Sequence, residues 1–104
     1  MNKIDFNELT NLDIPHKKGI VMVVLGHDRC GYCPYAKQAI NKIGKDKGLP
    51  TYYCDTVENP KVIQWFTVTS VPMVMFIKHG IVVKTVNGAK TEGEYLSILK
   101  EIGE

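Results

Sequence analysis

Two short, almost continuous apolar runs constrain the fold of this chain more than any other feature. Residues 20–25 (IVMVVL) and 73–77 (MVMFI) contain no charged side chain. Runs of this length and composition are typical of strands buried on both faces of a sheet, and crossing a membrane would take about 20 apolar residues. A sheet that is buried on both faces needs helices packed on both sides of it.

Helix and turn signals separate these runs. Pro34 suits the first position of a helix, because the N–H that it lacks would have no partner there, and that helix is expected to end near Gly48. Residues 51–55 (TYYCD) predict a strand. Asn59 followed by Pro60 predicts the N-cap and first position of the next helix.

The end of the chain predicts a hairpin and a last helix. His79-Gly80 is a plausible turn after the second apolar run, and it leads into an apolar strand over residues 81–86. Thr91 and Glu94 have the spacing of a capping box, which marks a helix start.

The predicted order of elements is β-α-β-α-β-α-β-β-α, with a short strand near residues 3–6 and a helical turn near residues 7–12 as the first pair. Alternating strands and helices imply an α/β fold with a central mixed, mostly parallel sheet. Helices should cover both faces, and a C-terminal β-hairpin should add an antiparallel edge. At 104 residues, the chain is expected to form a single domain over residues 1–104.

Charge and cysteine content exclude several classes of function. The chain has 13 Lys and Arg against 11 Asp and Glu, and a net charge of +2 does not favour a nucleic-acid or membrane-surface partner. Its first residues (MNKIDFNELTNLDIP) show no apolar segment of signal-peptide type, so we expect a cytoplasmic protein, as a monomer. Disulfides in that compartment are mostly transient and catalytic, and an odd count of three cysteines argues against a disulfide scaffold.

The candidate site is the motif Cys30-Gly31-Tyr32-Cys33, which lies between the first apolar run and the helix that Pro34 begins. Two thiols separated by two residues can open and close a disulfide with little movement, so the motif indicates redox chemistry. The tetrapeptide alone is also half of a zinc site. No histidine, however, has the spacing of a zinc ligand relative to these cysteines, and we expect no metal.

The element order, the C-x-x-C motif after the second strand and the tripeptide Ser70-Val71-Pro72 before a buried strand together resemble the thioredoxin superfamily. The resemblance implies the thioredoxin fold. It also implies a cis Val71–Pro72 peptide opposite the active-site cysteines, with the Val71 backbone offering hydrogen bonds to a bound substrate. A cis X-Pro bond is uncommon and is usually a specific turn device.

The resemblance is divided between two branches of the superfamily. The twelve residues from Pro60 to Pro72, with the later Gly80 and Gly88, follow thioredoxin-like spacings. Glutaredoxins usually carry a Gly-Gly pair that helps to bind glutathione, whereas here the matching region reads NGA at residues 87–89.

The active-site loop is instead similar to that of glutaredoxins. Tyr32 stands where glutaredoxins have the tyrosine of their Pro-Tyr dipeptide, and Ala36-Lys37 matches their C-x-x-A-K run. Arg29 replaces the tryptophan that usually precedes the first cysteine of thioredoxins. The buried aspartate of thioredoxins, which relays a proton, would fall at Val24 and is absent.

The expected chemistry assigns different roles to the two cysteines. Cys30 is the candidate nucleophile, because a helix N-terminus and the neighbouring Arg29 should lower the pKa of its thiol. Cys33 is expected to be more buried and to resolve the mixed disulfide. Gly31 permits the tight turn, and Tyr32 offers an exposed aromatic face to a partner. His27 and Asp28 are candidate proton shuttles for Cys33.

Other residues are expected to have structural roles. Cys54 is predicted to be a small buried hydrophobe and Trp65 a packing residue on the third helix. His16 and His79 are predicted to be surface or turn residues.

The leading hypothesis is a small dithiol-disulfide oxidoreductase that reduces protein disulfides and holds no permanent cofactor. The resemblance implies a thioredoxin reductase or glutathione as its electron donor. One alternative is a glutaredoxin that acts mainly in deglutathionylation, which Tyr32, Arg29 and Lys37 favour. Another is a glutaredoxin-like protein that binds an iron–sulfur cluster between two subunits, because some members with glycine after the first cysteine do so.

Overall fold

A five-stranded mixed sheet lies at the centre of the computed structural model, which describes residues 1–11 and 19–103. The strands are β1 (Asn2–Lys3), β2 (Ile20–Gly26), β3 (Thr51–Asp55), β4 (Met73–Lys78) and β5 (Ile81–Asn87). The helices are α1 (Phe6–Thr10), α2 (Cys33–Lys47), α3 (Lys61–Trp65) and α4 (Glu92–Glu101). The predicted order of elements is confirmed over this part of the chain, whereas the expectation for His16 falls outside it.

The strands lie in the order β1-β3-β2-β4-β5. The pairs β1–β3 and β3–β2 are parallel, and the pairs β2–β4 and β4–β5 are antiparallel. The antiparallel part is therefore larger than the predicted edge hairpin. The reason is that the chain, after α3, enters β4 at the end of the sheet where β2 and β3 leave it.

Every residue of β2 is buried, as the first apolar run predicts. Its alternate side chains enter two separate cores, one on each face of the sheet. Val21, Val23 and Leu25 pack on the face that α1 and α3 cover through Leu9 and Val62. On the opposite face, Met22 and Val24 pack against Ala36, Ile40 and Ile43 of α2 and against Tyr95 and Leu99 of α4. Helices therefore cover both faces, as predicted.

The N-terminal elements differ from the prediction by a few residues. The strand is Asn2–Lys3 and not residues 3–6, because Asp5 already serves as the N-cap of α1. Its side chain accepts a hydrogen bond from the Glu8 N–H, and the Glu8 side chain accepts one from the Asp5 N–H. This reciprocal capping box begins the helix at Phe6.

The ends of the remaining helices follow the sequence signals with two exceptions: α2 begins at Cys33, one residue before Pro34, and α3 begins at Lys61, one residue after Pro60. Gly48, in the left-handed region at φ 67°, ends α2, and Thr91 and Glu94 form the capping box of α4. Asn59 is not the N-cap of α3, because its side-chain amide donates to the Asp55 C=O and accepts from the Phe6 N–H.

No helix within the described residues combines the length and apolar character that a membrane span requires.

Candidate active site

Cys30 and Cys33 form a disulfide at the edge of the sheet where β2 ends, with their Cα atoms 5.4 Å apart. Cys30 lies in the turn between β2 and α2 and is partly exposed. Cys33 is the first residue of α2, and only 1% of its surface is exposed. A partner can therefore reach the sulfur of Cys30, whereas the sulfur of Cys33 is closed to a large molecule.

The loop before Cys30 is held by two hydrogen bonds that backbone N–H groups donate to His27. The Arg29 N–H donates to His27 Nδ1 at 3.1 Å, and the Cys30 N–H donates to the His27 C=O at 3.2 Å. Because Nδ1 accepts a hydrogen bond within the loop, only Nε2 remains to exchange a proton with another group. No hydrogen bond between described residues links His27 or Asp28 to Cys33, and their shuttle role stays a prediction.

The N-terminus of α2 presents its positive end to the disulfide. The Cys33 N–H donates to the Cys30 C=O at 3.4 Å, and no side chain caps the helix at Tyr32. The first turn contains no acidic residue, whereas Lys45 and Lys47 lie in the last turn. Helix dipoles stabilise negative charge at the N-terminus, so this arrangement favours a thiolate at Cys30.

The Val71–Pro72 segment lies at the same edge of the sheet, as the resemblance implies. Leu25 pairs with Met73 in the β2–β4 ladder, so the residues after β2 and those before β4 are neighbours. The Val71–Pro72 peptide is cis, and the Pro72 C=O accepts from the Gly88 N–H at 2.8 Å. No hydrogen bond between described residues occupies the Val71 backbone, which leaves it available to an extended ligand.

Two tyrosines flank the cysteines on the solvent side. Tyr32 is 70% exposed, as predicted, and Tyr35 is 63% exposed. Their ring centroids lie 6.4 Å apart. Exposed aromatic rings beside a reactive group are typical of surfaces that bind other molecules. Tyr35 was not singled out from the sequence, although its spacing of three residues from Tyr32 places both rings on one helix face.

Arg29 is exposed and lines a groove of about 250 Å³ beside the active-site loop. The residues that line this groove are His27, Asp28, Arg29, Asp55, Val57 and Glu58. Asp55 is buried, and its Oδ1 accepts from the N–H groups of Val57 and Glu58 at 2.8 and 3.0 Å. These hydrogen bonds stabilise the turn after β3, so the role of the Asp55 carboxylate is structural.

The interior beneath Cys33 contains no carboxylate from β2. Val24, which the sequence places where thioredoxins have their buried aspartate, is fully buried in the apolar core under α2. Gly26, at the end of the same strand, lies directly against Cys33: a Cβ atom added to Gly26 would stand 2.5 Å from Cys33 Sγ. The Tyr53 ring is beside Gly26, and the Lys37 ammonium lies 3.9 Å from the centroid of that ring. Burial raises the pKa of Tyr53 to about 12, so the phenol is protonated at neutral pH.

Cys54 takes no part in this cluster. Its side chain is fully buried in the core on the α1–α3 face, whereas Cys33 belongs to α2 on the opposite face. Burial, together with the nearby Asp55 carboxylate, raises the pKa of its thiol to about 11. The prediction that Cys54 is a small buried hydrophobe is confirmed.

Trp65 lies on the third helix, as predicted, but it packs less closely than a core residue does. The side chain is 64% exposed, although its ring makes an edge contact with Phe6 at a centroid distance of 5.5 Å. The helix that carries it has only five residues and ends at Trp65, so no further turn covers the ring.

Sequence reasoning missed Gly26 and Thr56 as parts of the site. A glycine at the end of a buried strand is a signal of close backbone approach, and it could have been recognised. Thr56 carries no such signal, because only the pairing of Gly26 with Asp55 brings Thr56 close to the Gly26 backbone.

No group of three or more His, Cys, Asp and Glu within residues 1–11 and 19–103 is arranged to hold a metal ion.

Comparisons with known proteins agree with the fold and the motif. A family model for thioredoxin matches residues 2–101. The structure is similar to that of mitochondrial thioredoxin 3 from Saccharomyces cerevisiae in its oxidized form, with a TM-score of 0.83 at 19% identity, over 97% of this chain and 94% of that one. It is equally similar to Fasciola hepatica thioredoxin, with a TM-score of 0.83 at 21% identity, over 97% of this chain and 98% of that one.

No curated protein matches the sequence. The family match covers nearly the whole chain, and the Cys30–Cys33 pair supplies the two thiols that the chemistry of the family requires. The chain therefore belongs to the thioredoxin family and carries the C-x-x-C pair of a thiol–disulfide oxidoreductase.

Proposed function

We propose that this protein reduces disulfides in other proteins through a Cys30–Cys33 dithiol/disulfide cycle. The observation that carries the proposal is the difference in exposure between the two bonded cysteines. Cys30 is open to a partner at the N-terminus of α2, and Cys33 is buried within bonding distance behind it.

The cycle begins with attack by the Cys30 thiolate on one sulfur of the substrate disulfide. A Cys30–substrate disulfide forms, and the other substrate sulfur leaves as a thiolate. Cys33 then loses its proton and attacks Cys30 Sγ, which releases the second substrate thiolate and forms the Cys30–Cys33 disulfide. Two electrons pass to the substrate, and an external dithiol or two glutathione molecules return them.

Substrate binding is assigned to the sheet edge around the cysteines. The free backbone of Val71 next to the buried Pro72 can pair with an extended segment of the substrate. Gly31 leaves open space beside the loop, because no atom other than those of its chain neighbours lies within 4 Å of its Cβ position. Tyr32 adds an exposed apolar surface. Arg29 contributes positive charge, which favours the Cys30 thiolate.

A glutathione-dependent reaction is the second candidate, and the composition of the loop favours it. Tyr32 and Arg29 are exposed beside Cys30, where an anionic tripeptide would find an aromatic surface and a cation. Lys37 is less suited to this role, because its ammonium group already lies over the Tyr53 ring.

We propose that the protein is a cytoplasmic monomer, whichever of the two reactions it carries out.

Parallel assays test the proposal. A protein disulfide is offered with either a thioredoxin reductase or glutathione plus its reductase as electron donor. We expect turnover with at least one donor, and its abolition by Cys30→Ser. Cys33→Ser should abolish the reduction of protein disulfides but preserve removal of glutathione from a glutathionylated protein, if the second candidate is correct. Cys54→Ala is the matched control, because Cys54 lies on the other face of the sheet. Absence of turnover with both donors would refute the proposed function.

A further inference from the structure

Gly26 is the last residue of β2, and it is buried directly under the first residue of α2. A Cβ atom added to Gly26 would stand 2.5 Å from Cys33 Sγ, 3.3 Å from Cys33 Cβ and 3.6 Å from Tyr53 Cε1. Carbon and sulfur atoms that are not bonded do not approach to 2.5 Å, so even a methyl group at this position would displace the sulfur.

Backbone conformation does not explain why glycine occupies this position. The glycines with a positive φ within the described residues are Gly19, Gly48, Gly80, Gly88 and Gly103. Gly26 is instead in a regular strand, where it pairs with Asp55, and glycine weakens a strand relative to a residue with a side chain. The space that Cys33 occupies is therefore the physical reason for a glycine at position 26.

The Gly26 backbone cannot readily withdraw from Cys33. Its C=O accepts two hydrogen bonds from Thr56, one from the N–H at 2.8 Å and one from the Oγ1 hydroxyl at 3.3 Å. Thr56 is itself only 4% exposed. Cys33 is equally constrained, because it lies in the first turn of a 15-residue helix that packs on the core through Ala36 and Ile40.

We infer that Gly26 is a positioning residue for the resolving cysteine. Because Gly26 has no side chain and its strand end is held by Thr56, Cys33 Sγ can occupy the position from which it bonds to Cys30. The inference deepens the proposed function and rests on its dithiol cycle. Gly26 itself exchanges no proton or electron. It acts only through the position of Cys33 Sγ.

The test is the dithiol/disulfide equilibrium of Gly26→Ala in glutathione redox buffers. A methyl group that displaces Cys33 Sγ from the position in which it bonds to Cys30 disfavours the closed disulfide, so the equilibrium constant for disulfide formation should fall about tenfold. A tenfold fall makes the reduction potential about 30 mV less negative. Gly93→Ala is the matched control, because a Cβ there meets only Thr91 Oγ1, at 3.9 Å. Its equilibrium constant should stay within about twofold of the original.

A kinetic measurement separates positioning from general damage to the site. In a Cys33→Ser background, Gly26→Ala should leave the alkylation rate of Cys30 within about twofold, because the added methyl group contacts Cys33 and not Cys30. With Cys33 present, the release of a Cys30 mixed disulfide should slow about tenfold, in line with the equilibrium. An unchanged equilibrium constant, or an equal loss in the alkylation rate of Cys30, would overturn the inference.

A rescue variant keeps the inference testable if Gly26→Ala folds poorly. Under reducing conditions, where neither background has a disulfide, replacing Cys33 by alanine removes the sulfur that the new methyl group meets and leaves a Cβ–Cβ contact at 3.3 Å. Gly26→Ala should therefore lower the unfolding temperature less in the Cys33→Ala background than in the original protein. An equal lowering in both backgrounds contradicts the inference. The equilibrium uses glutathione and no protein substrate. Failure to reduce protein disulfides would therefore refute the proposed function and leave this measurement unaffected.

Discussion

Gly44→Ala is expected to destabilise the protein, although alanine is the better helix former. Gly44 is buried in α2, and an added Cβ would overlap Thr51 Cγ2 and lie 2.9 Å from the Leu49 C=O oxygen. The gain in helix propensity is about 1 kcal/mol, whereas overpacking against a strand and a backbone carbonyl costs about 1–3 kcal/mol. Leu49 cannot move away freely, since its N–H donates to the Gly44 C=O at 2.9 Å.

The net expected effect is a loss of about 1–2 kcal/mol in the free energy of unfolding, because the overlap with two groups places the cost in the upper half of its range. Gly93→Ala provides the comparison within the same chain. Its Cβ has only a normal contact at 3.9 Å, and the change should stabilise α4 by about 0.5 kcal/mol.

Urea unfolding of both variants at neutral pH, followed by circular dichroism, measures the two changes on one scale. A shift of 1 kcal/mol should also change the unfolding temperature by about 4–8 °C for a domain of this size. Equal stabilisation by both substitutions would refute the reasoning, because propensity alone would then decide the outcome at Gly44.

The remaining predictions concern the thiols and the binding surface. The reduction potential of the Cys30–Cys33 pair should lie between that of thioredoxins, about −270 mV, and that of glutaredoxins, roughly −200 to −230 mV, because Arg29 stabilises the thiolate; a value below −270 mV would contradict this. The pKa of Cys54 rises from 9.0 to about 11 on folding, so its protonated form stabilises the fold fully below pH 9, and this contribution is lost as the pH rises towards 11. Cys54→Ala should therefore flatten the decline in stability between pH 9 and pH 11, and an unchanged slope would count against the raised pKa. Tyr32→Ala should raise the KM for a protein disulfide about tenfold with little change in the alkylation rate of Cys30, because it removes an exposed contact surface and not a reacting group; an unchanged KM would exclude Tyr32 from substrate binding.

Several elements could be predicted from the sequence because their signals are local. The two apolar runs predict buried strands, since they are shorter than a typical helix and the first is rich in β-branched residues. Pro34, Gly48 and the pair Thr91 and Glu94 mark helix ends through hydrogen bonds and backbone angles that involve only near neighbours. The redox motif is equally local, because its two thiols are joined through one short turn.

The predictions failed where a residue had a partner distant in the sequence. Asn59 has the form of a helix cap, but its side chain bonds to the Phe6 N–H, 53 residues away. The sequence also did not show that the ring of Trp65 packs against Phe6, which is on a helix distant in the sequence. A local sequence pattern does not show which distant group will form a hydrogen bond or a ring contact with a given side chain.

The class of fold, the position of the dithiol motif, the absence of a carboxylate at Val24 and the lower exposure expected of Cys33 all followed from residue type and spacing. The contact between Gly26 and the sulfur of Cys33, and the hydrogen bonds from Thr56 that hold Gly26, were found only in the folded chain. Contact distances of this kind are set by how β2, β3 and α2 meet at one edge of the sheet.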